Sequence, residues 1–242
     1  MTSQLVCRPE QDLPVALLRV SGVLDTYTSD ALRHAIARSL SMQPEALLID
    51  VRALEVGDPI ALAAVDDMVA RTAQWPAVPI VLCGAGQRTA DALTSSAEYA
   101  AMSTAPSVEQ ALRDTADEPE PRRIRIRLRP VPDACRQVRQ LIDHAFTSWQ
   151  RREVTAVAAL VATELVANVV RHAHTTMEFT VRLRDGRVCM SVRDGSRRLP
   201  RAAQPGVSDA GGRGLRLVRE LTDSWGVLPV SDGKVVWTQF AA

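Results

Sequence analysis

Four polar side chains interrupt an otherwise largely apolar stretch between residues 153 and 173: Glu164, Asn168, Arg171 and His172. Positions i, i+4, i+7 and i+8 share one face of a helix. A carboxylate and an amide one turn apart on a buried helix need partners, because burying them unpaired is costly. A hydrated Mg²⁺ would suit, since it takes oxygen ligands and keeps waters. Asn168 can offer its side-chain oxygen, and Glu164 can orient, or take a proton from, an attacking hydroxyl. The plainer alternative is a solvent-facing stripe on an amphipathic helix, and these four residues alone do not choose between the two.

Two further clusters lie later in the chain. Asp194-Gly195 ends an apolar run. Its carboxylate could accept a hydrogen bond from an adenine amino group, and Gly195 would let a base approach the backbone; an ordinary Asp-Gly turn explains the pair equally. Gly211-Gly212-Arg213-Gly214-Leu215 opens a helical pattern. Glycines there let backbone N–H groups close on phosphates, and a helix N-terminus favours an anion. There is no GxxxxGK[ST], which excludes a P-loop NTPase, and Gly233-Lys234 sits in a terminal hairpin without that context.

The elements that must position these residues are legible from periodicity. After a polar, proline-bearing linker at Asp114–Arg122, the stretch Arg123–Arg129 alternates as a half-exposed strand. Helices are expected over Pro132–Gln150 and Glu153–Ala173. Strands Met177–Leu183 and Arg187–Val192 surround a turn at Asp185-Gly186. A loop spans Ser196–Ala210, a helix Gly214–Asp223, and a last hairpin, Gly226–Val230 with Val235–Phe240, turns at Asp232-Gly233. This is an α+β sandwich with helices on one face of a mixed sheet. Before the linker, strands at Val15–Val20, Ala46–Val51 and Pro79–Cys83 alternate with helices at Thr28–Leu40, Pro59–Trp75, Thr89–Ala100 and Ser107–Arg113, the pattern of an α/β layer. The expected domains are therefore 1–113, a linker 114–122, and 123–242.

In this order, the segments ELVANVVRHA (164–173), VRDG (192–195), GGRGLRLV (211–218), SWG (224–226) and GKVVW (233–237) resemble the bacterial anti-sigma-factor kinases. These belong to the histidine-kinase-like (GHKL, Bergerat-fold) ATPases. The resemblance implies ATP and Mg²⁺ as ligands. It makes Glu164 the general base and Asn168 the metal ligand. Asp194 and Gly195 would read adenine, while Gly212, Arg213, Gly214 and Leu215 would border the phosphates with Arg171 and His172 nearby. Loop 196–210 would be a short ATP lid. The stretch Asp194–Arg198 keeps the Asp but lacks a full DxGxG. The first half resembles a STAS domain, the fold of anti-sigma-factor antagonists, through LLRVSGVLD (17–25), ALLIDV (46–51) and Pro79–Gly84. Antagonists carry a phosphoacceptor Ser after an Asp at the second helix. Here Pro59 or Ile60 follows Asp58, and neither has a hydroxyl, so Asp58 is read as a plain helix-start residue.

Taken together, the resemblances imply a partner-switching regulator of sigma-factor activity whose second half phosphorylates a serine on a separate STAS antagonist. Its partners would be a sigma factor or an antagonist. The alternative is a non-catalytic ATP- or protein-binding module that sequesters one of them. Relatives of the second half are often dimers, so a homodimer is also implied.

Bulk properties fit these expectations. The 242 residues are 46% hydrophobic and 24% charged, ordinary for a globular chain. No uninterrupted apolar run approaches the roughly 20 residues of a membrane span, and Met1–Glu10 lacks a signal pattern, so a cytoplasmic protein is expected. Cys7, Cys83, Cys135 and Cys189 are spaced too widely for a zinc or redox motif and read as reduced thiols. Residues 1–120 carry 8 Arg against 17 Asp plus Glu, a net −9, while 121–242 carry 21 basic against 11 acidic groups, a net +10. Opposite charge allows contact between the halves. The stripe Arg123, Arg125, Arg127, Arg129 is not interleaved with aromatics, which argues against direct nucleic-acid binding.

Overall fold

Among the described residues the first half forms five strands, two more than its apolar runs announce, and the second half another five. The computed structural model describes residues 4–11, 14–58, 60–61, 78–94, 103–117, 122–184, 186–199 and 213–242. The chain divides into two compact units, Met1–Glu120 and Pro121–Ala242.

In the first unit, β1 (Leu5–Gln11), β2 (Ala16–Leu24), β3 (Leu47–Val56), β4 (Ile80–Cys83) and β5 (Ser103–Ala105) form a sheet in chain order. β1 runs antiparallel to β2 with a bulge after Pro9, and the other pairs are parallel. The helices are α1 (Ser29–Ser41), α2 (Gln87–Thr94) and α3 (Val108–Asp117). Parallel strands buried on both faces read as continuous apolar runs, as Leu47-Leu48-Ile49 does in β3. One face packs Leu18, Val20, Ile49 and Leu82 with Leu32, Ile36 and Leu40 of α1. The other packs Leu48 and Cys83 with Val108 and Ala111 of α3. β1 and β5 were not expected from the sequence. Asp114 to Asp117, expected as linker, form the last turn of α3. The helix expected over Pro59–Trp75 lies, except for Ile60 and Ala61, outside the described residues. At its start Asp58 Oδ1 accepts the Ile60 N–H at 2.9 Å, the bond of a helix N-cap.

The second unit holds β6 (Arg122–Leu128), α4 (Asp133–Ser148), a 3₁₀ turn (Arg152–Val154) and α5 (Thr155–Asn168). A π-helical turn (Val169–Ala173) continues α5 and is followed by β7 (Met177–Arg184), β8 (Arg187–Asp194), α6 (Arg213–Leu221), β9 (Ser224–Val230) and β10 (Gly233–Ala241). The strand order is β6-β7-β8-β10-β9, and every pair is antiparallel. This corrects the expected mixed sheet. Strand β10 inserts between β8 and β9, so the two strands joined through α6 run the same way without pairing with each other.

The period-2 pattern puts Ile126, Phe179, Val192, Val236 and Val227 in one line across the sheet. That face packs against Val138, Ile142 and Phe146 of α4 and Val161, Leu165 and Val166 of α5. By length and composition alone Arg152–Ala173 is apolar enough to cross a membrane; here α5 is a central helix of the core. Gly226 lies on the indole of Trp237, where a β-carbon would come within 2.6 Å of the ring. Of the arginine stripe on β6, Arg125 pairs with Glu178 of β7.

Candidate functional site

Helix α5 is apolar on nearly all sides because it lies between the sheet, α4 and α6; its polar exceptions face the start of α6. Glu164 and Asn168 are half-buried. A β-carbon built on Gly214 would collide with Glu164 Oε2 and stand 3.7 Å from Asn168 Oδ1. The glycine therefore lets the first turn of α6 close onto both side chains. Arg171 Nη2 lies 3.4 Å from Glu164 Oε2, with its own side chain 43% exposed. The structure thus brings Glu164, Asn168, Arg171 and Gly214 together.

His172 is exposed. The expected i+8 alignment with Glu164 assumed an α-helix, whereas residues 169–173 form a π turn with i→i+5 spacing. His174 then ends the helix in the left-handed region at φ 53°. Leu215 is half-buried in α6. Gly212 lies outside the described residues, as does the Arg213 side chain, and so do lid residues 200–210.

The second cluster forms where β8 and β10 end beside each other. Asp194 and Lys234 are directly opposed in the ladder. Parity places both on the helix-facing side, in line with Met177. Gly233 permits this approach, since a β-carbon there would strike the Asp194 carbonyl oxygen. Asp194 Oδ1 accepts Lys234 Nζ at 2.9 Å and the Ser196 N–H at 2.8 Å. Asp194 Oδ2 is buried and has no hydrogen-bond partner. Gly195 donates its N–H to Thr175 Oγ1 at 3.0 Å, and Thr175 lies just beyond the π turn. That bond ties the Asp194 cluster to the helix carrying Glu164 and Asn168. The loop after β8 is tied to the terminal hairpin as well, through Arg193–Asp232 at 2.9 Å and Arg197 to the Ser231 carbonyl at 2.6 Å.

Sequence reasoning missed Thr175, Ser196 and Lys234 as parts of this cluster. Lys234 is the chain's only lysine. Its role depends on β10 pairing with β8 rather than with β9 alone, a non-local fact. Cys135 of α4 lies near Glu164 and Arg171, and burial pushes its thiol pKa up.

A nucleotide with Mg²⁺ suits these residues. The unpartnered Asp194 Oδ2 is a buried acceptor in need of a donor such as an amino group. Gly214 lets the N-terminus of α6, the end of a helix that favours an anion, approach Glu164 and Asn168. Among the described residues no three His, Cys, Asp or Glu side chains cluster as metal ligands. A cation here would rely on Asn168 Oδ1 with water and phosphate oxygens, as Mg²⁺ commonly does.

The histidine kinase-like ATPase domain model matches residues 131–240, and the STAS domain model matches residues 8–111. The chain is a STAS domain followed by a histidine kinase-like ATPase domain. Similar solved structures include an anti-sigma factor antagonist from Mycobacterium paratuberculosis. It is 24% identical, with 47% of this chain and 96% of that chain covered and a TM-score of 0.40. The RsbU and RsbW domains of a Mycobacterium tuberculosis protein are 20% identical over 49% of this chain and 31% of that one, with a TM-score of 0.38. The anti-sigma factor antagonist SpoIIAA in its unphosphorylated form is 17% identical over 46% and 96%, with a TM-score of 0.38. No curated protein matched the chain. The Glu164–Asn168–Gly214 cluster and the Asp194–Lys234 cluster both belong to the ATPase domain. The capped helix start at Asp58 belongs to the STAS domain.

Proposed function

We propose that the ATPase domain binds Mg-ATP and transfers its terminal phosphoryl group to a serine of a separate STAS antagonist, within a partner-switching circuit that controls a sigma factor. The observation that carries this reading is the convergence of Glu164, Asn168 and Gly214 at the N-terminus of α6. Bound Mg-ATP supplies the phosphoryl group and a cation that offsets charge as it moves. Asn168 would hold the metal through Oδ1. Glu164 would orient the incoming serine hydroxyl and take its proton. Asp194 Oδ2 would receive the amino group of the base, and the first turn of α6 would face the phosphates.

Calorimetric titration of Mg-ATP into the wild type and Asn168→Ala tests the site. Binding by the wild type that is lost in the variant supports it, and no binding to folded wild type rejects it. Incubation with serine-bearing STAS proteins and Mg-ATP then tests transfer by phosphoserine formation. A second reading is favoured by one contact, the Arg171 guanidinium beside Glu164. If that arginine keeps the carboxylate engaged, the domain binds nucleotide and partner without transfer, and none of the serine-bearing proteins becomes phosphorylated.

A further inference from the structure

Asp194 has two carboxylate oxygens, and the chain uses one of them. Oδ1 takes Lys234 Nζ at 2.9 Å and the Ser196 N–H at 2.8 Å, whereas Oδ2 is buried without a partner. Lys234 Nζ also donates to the Ser196 carbonyl at 3.1 Å. The two side chains are only 8% and 1% exposed. The pair is fixed by ladder register and by Gly233, so neither end can swing far. An exposed lysine is a flexible cation; this one is held in place and oriented by two acceptors.

We propose that Lys234 is a positioning residue that sets base selectivity, by occupying Asp194 Oδ1 and so leaving the carboxylate a single acceptor for the base. This rests on the nucleotide reading above. Adenine presents one amino group beside an unprotonated ring nitrogen, which a single acceptor oxygen satisfies. Guanine presents two adjacent donors, N1–H and the 2-amino group, which a carboxylate receives best with both oxygens. With Oδ1 engaged, one of guanine's donors enters a buried site unpaired, and such a mismatch discriminates strongly. The lysine also offsets the charge of a buried carboxylate, so its position matters more than its charge alone.

The test is calorimetric titration of Mg-ATP and Mg-GTP into the full chain, wild type and two variants, with folding checked by circular dichroism. Wild type is expected to bind ATP about 100-fold more tightly than GTP, the equivalent of one buried donor left unpaired. Lys234→Met removes the charged donor from Oδ1, leaving only the Ser196 N–H there, and should narrow that ratio by about tenfold. Lys234→Arg keeps the charge but offers a planar fork that grips both carboxylate oxygens. It should therefore weaken ATP binding by about tenfold or more in a folded protein. If Lys234→Met fails to fold, Lys234→Arg alone decides. Wild-type ATP binding with an unchanged ratio in Lys234→Met, or undiminished ATP binding by Lys234→Arg, overturns the selectivity role and leaves the ATP reading standing. Wild type that binds neither nucleotide overturns both.

Discussion

Gly214, at the start of α6, packs so closely on Glu164 of α5 that any side chain at position 214 would displace the carboxylate. Two elements separated by two strands and a loop therefore meet at a point where only hydrogen fits. In Gly214→Ala the helix itself gains, since alanine is favoured over glycine within helices by about 1 kcal/mol. The methyl group must nevertheless push Glu164 aside. The expected outcome is near-normal thermal stability with Mg-ATP affinity reduced by about tenfold, read by melting and calorimetry on the same preparation. Normal affinity would show that Glu164 can move without consequence.

Gly233→Ala is expected to act on folding rather than on the site alone. A β-carbon there strikes backbone, the Asp194 carbonyl, which cannot swing away as a side chain can. Strain of this kind costs about 1–3 kcal/mol. Chemical denaturation should show a lower midpoint for the ATPase domain, with the STAS domain's transition unchanged.

Asp50 of β3 predicts a pH dependence in the STAS domain. Its carboxylate accepts Arg52 at 2.8 Å and lies 3.2 Å from Arg19. The Arg52 hydrogen bond holds its pKa below the usual carboxylate value. A depressed folded-state pKa contributes stability that is present above the unfolded value near 4 and is lost as pH falls through the folded value. Arg52→Ala should lower stability at pH 7 only modestly, because the arginine is solvent-screened and Arg19 remains as a partner. The difference from wild type should shrink as pH falls below about 4. Urea titrations at pH 7 and pH 3 would measure it; an equal gap at both would assign the loss to packing.

The thiols offer a readout of folding. Burial pushes both Cys83 and Cys189 up to about 11. Thiolate is the reactive form, so few such groups are available at pH 8. Alkylation of the native protein, followed by mass spectrometry, should label both far more slowly than in denaturant. Rapid labelling of Cys189 in native protein would mean that β8 opens readily.

The sequence carried the local half of this architecture and little of the non-local half. Helix α4 and strands β7 and β8 were expected within two residues of their observed ends, because their apolar periods are unbroken. β1 was not foreseen: its run LVCRPEQ contains a proline and charges that suit only an edge. β5 has three residues, too few to show a period. Glu164, Asn168 and Arg171 could be placed on one face from spacing because they share one helix. The π turn that carries His172 leaves no mark in composition. Lys234 and Thr175 depend on which strands become neighbours, and periodicity within a segment cannot report that.

Among the described residues, the edge strands of both sheets are blunted. β1 carries Pro9 and a bulge, and β5 is three residues long. β6 bears alternating arginines, and β9 carries Pro229 opposite Lys234. Each of these devices discourages a foreign strand from docking onto exposed backbone. On the partner-switching reading proposed above, the protein would be guarded against fusing edge to edge with the chains it meets. Its encounters would then be left to loops and side-chain surfaces, which can release what they hold.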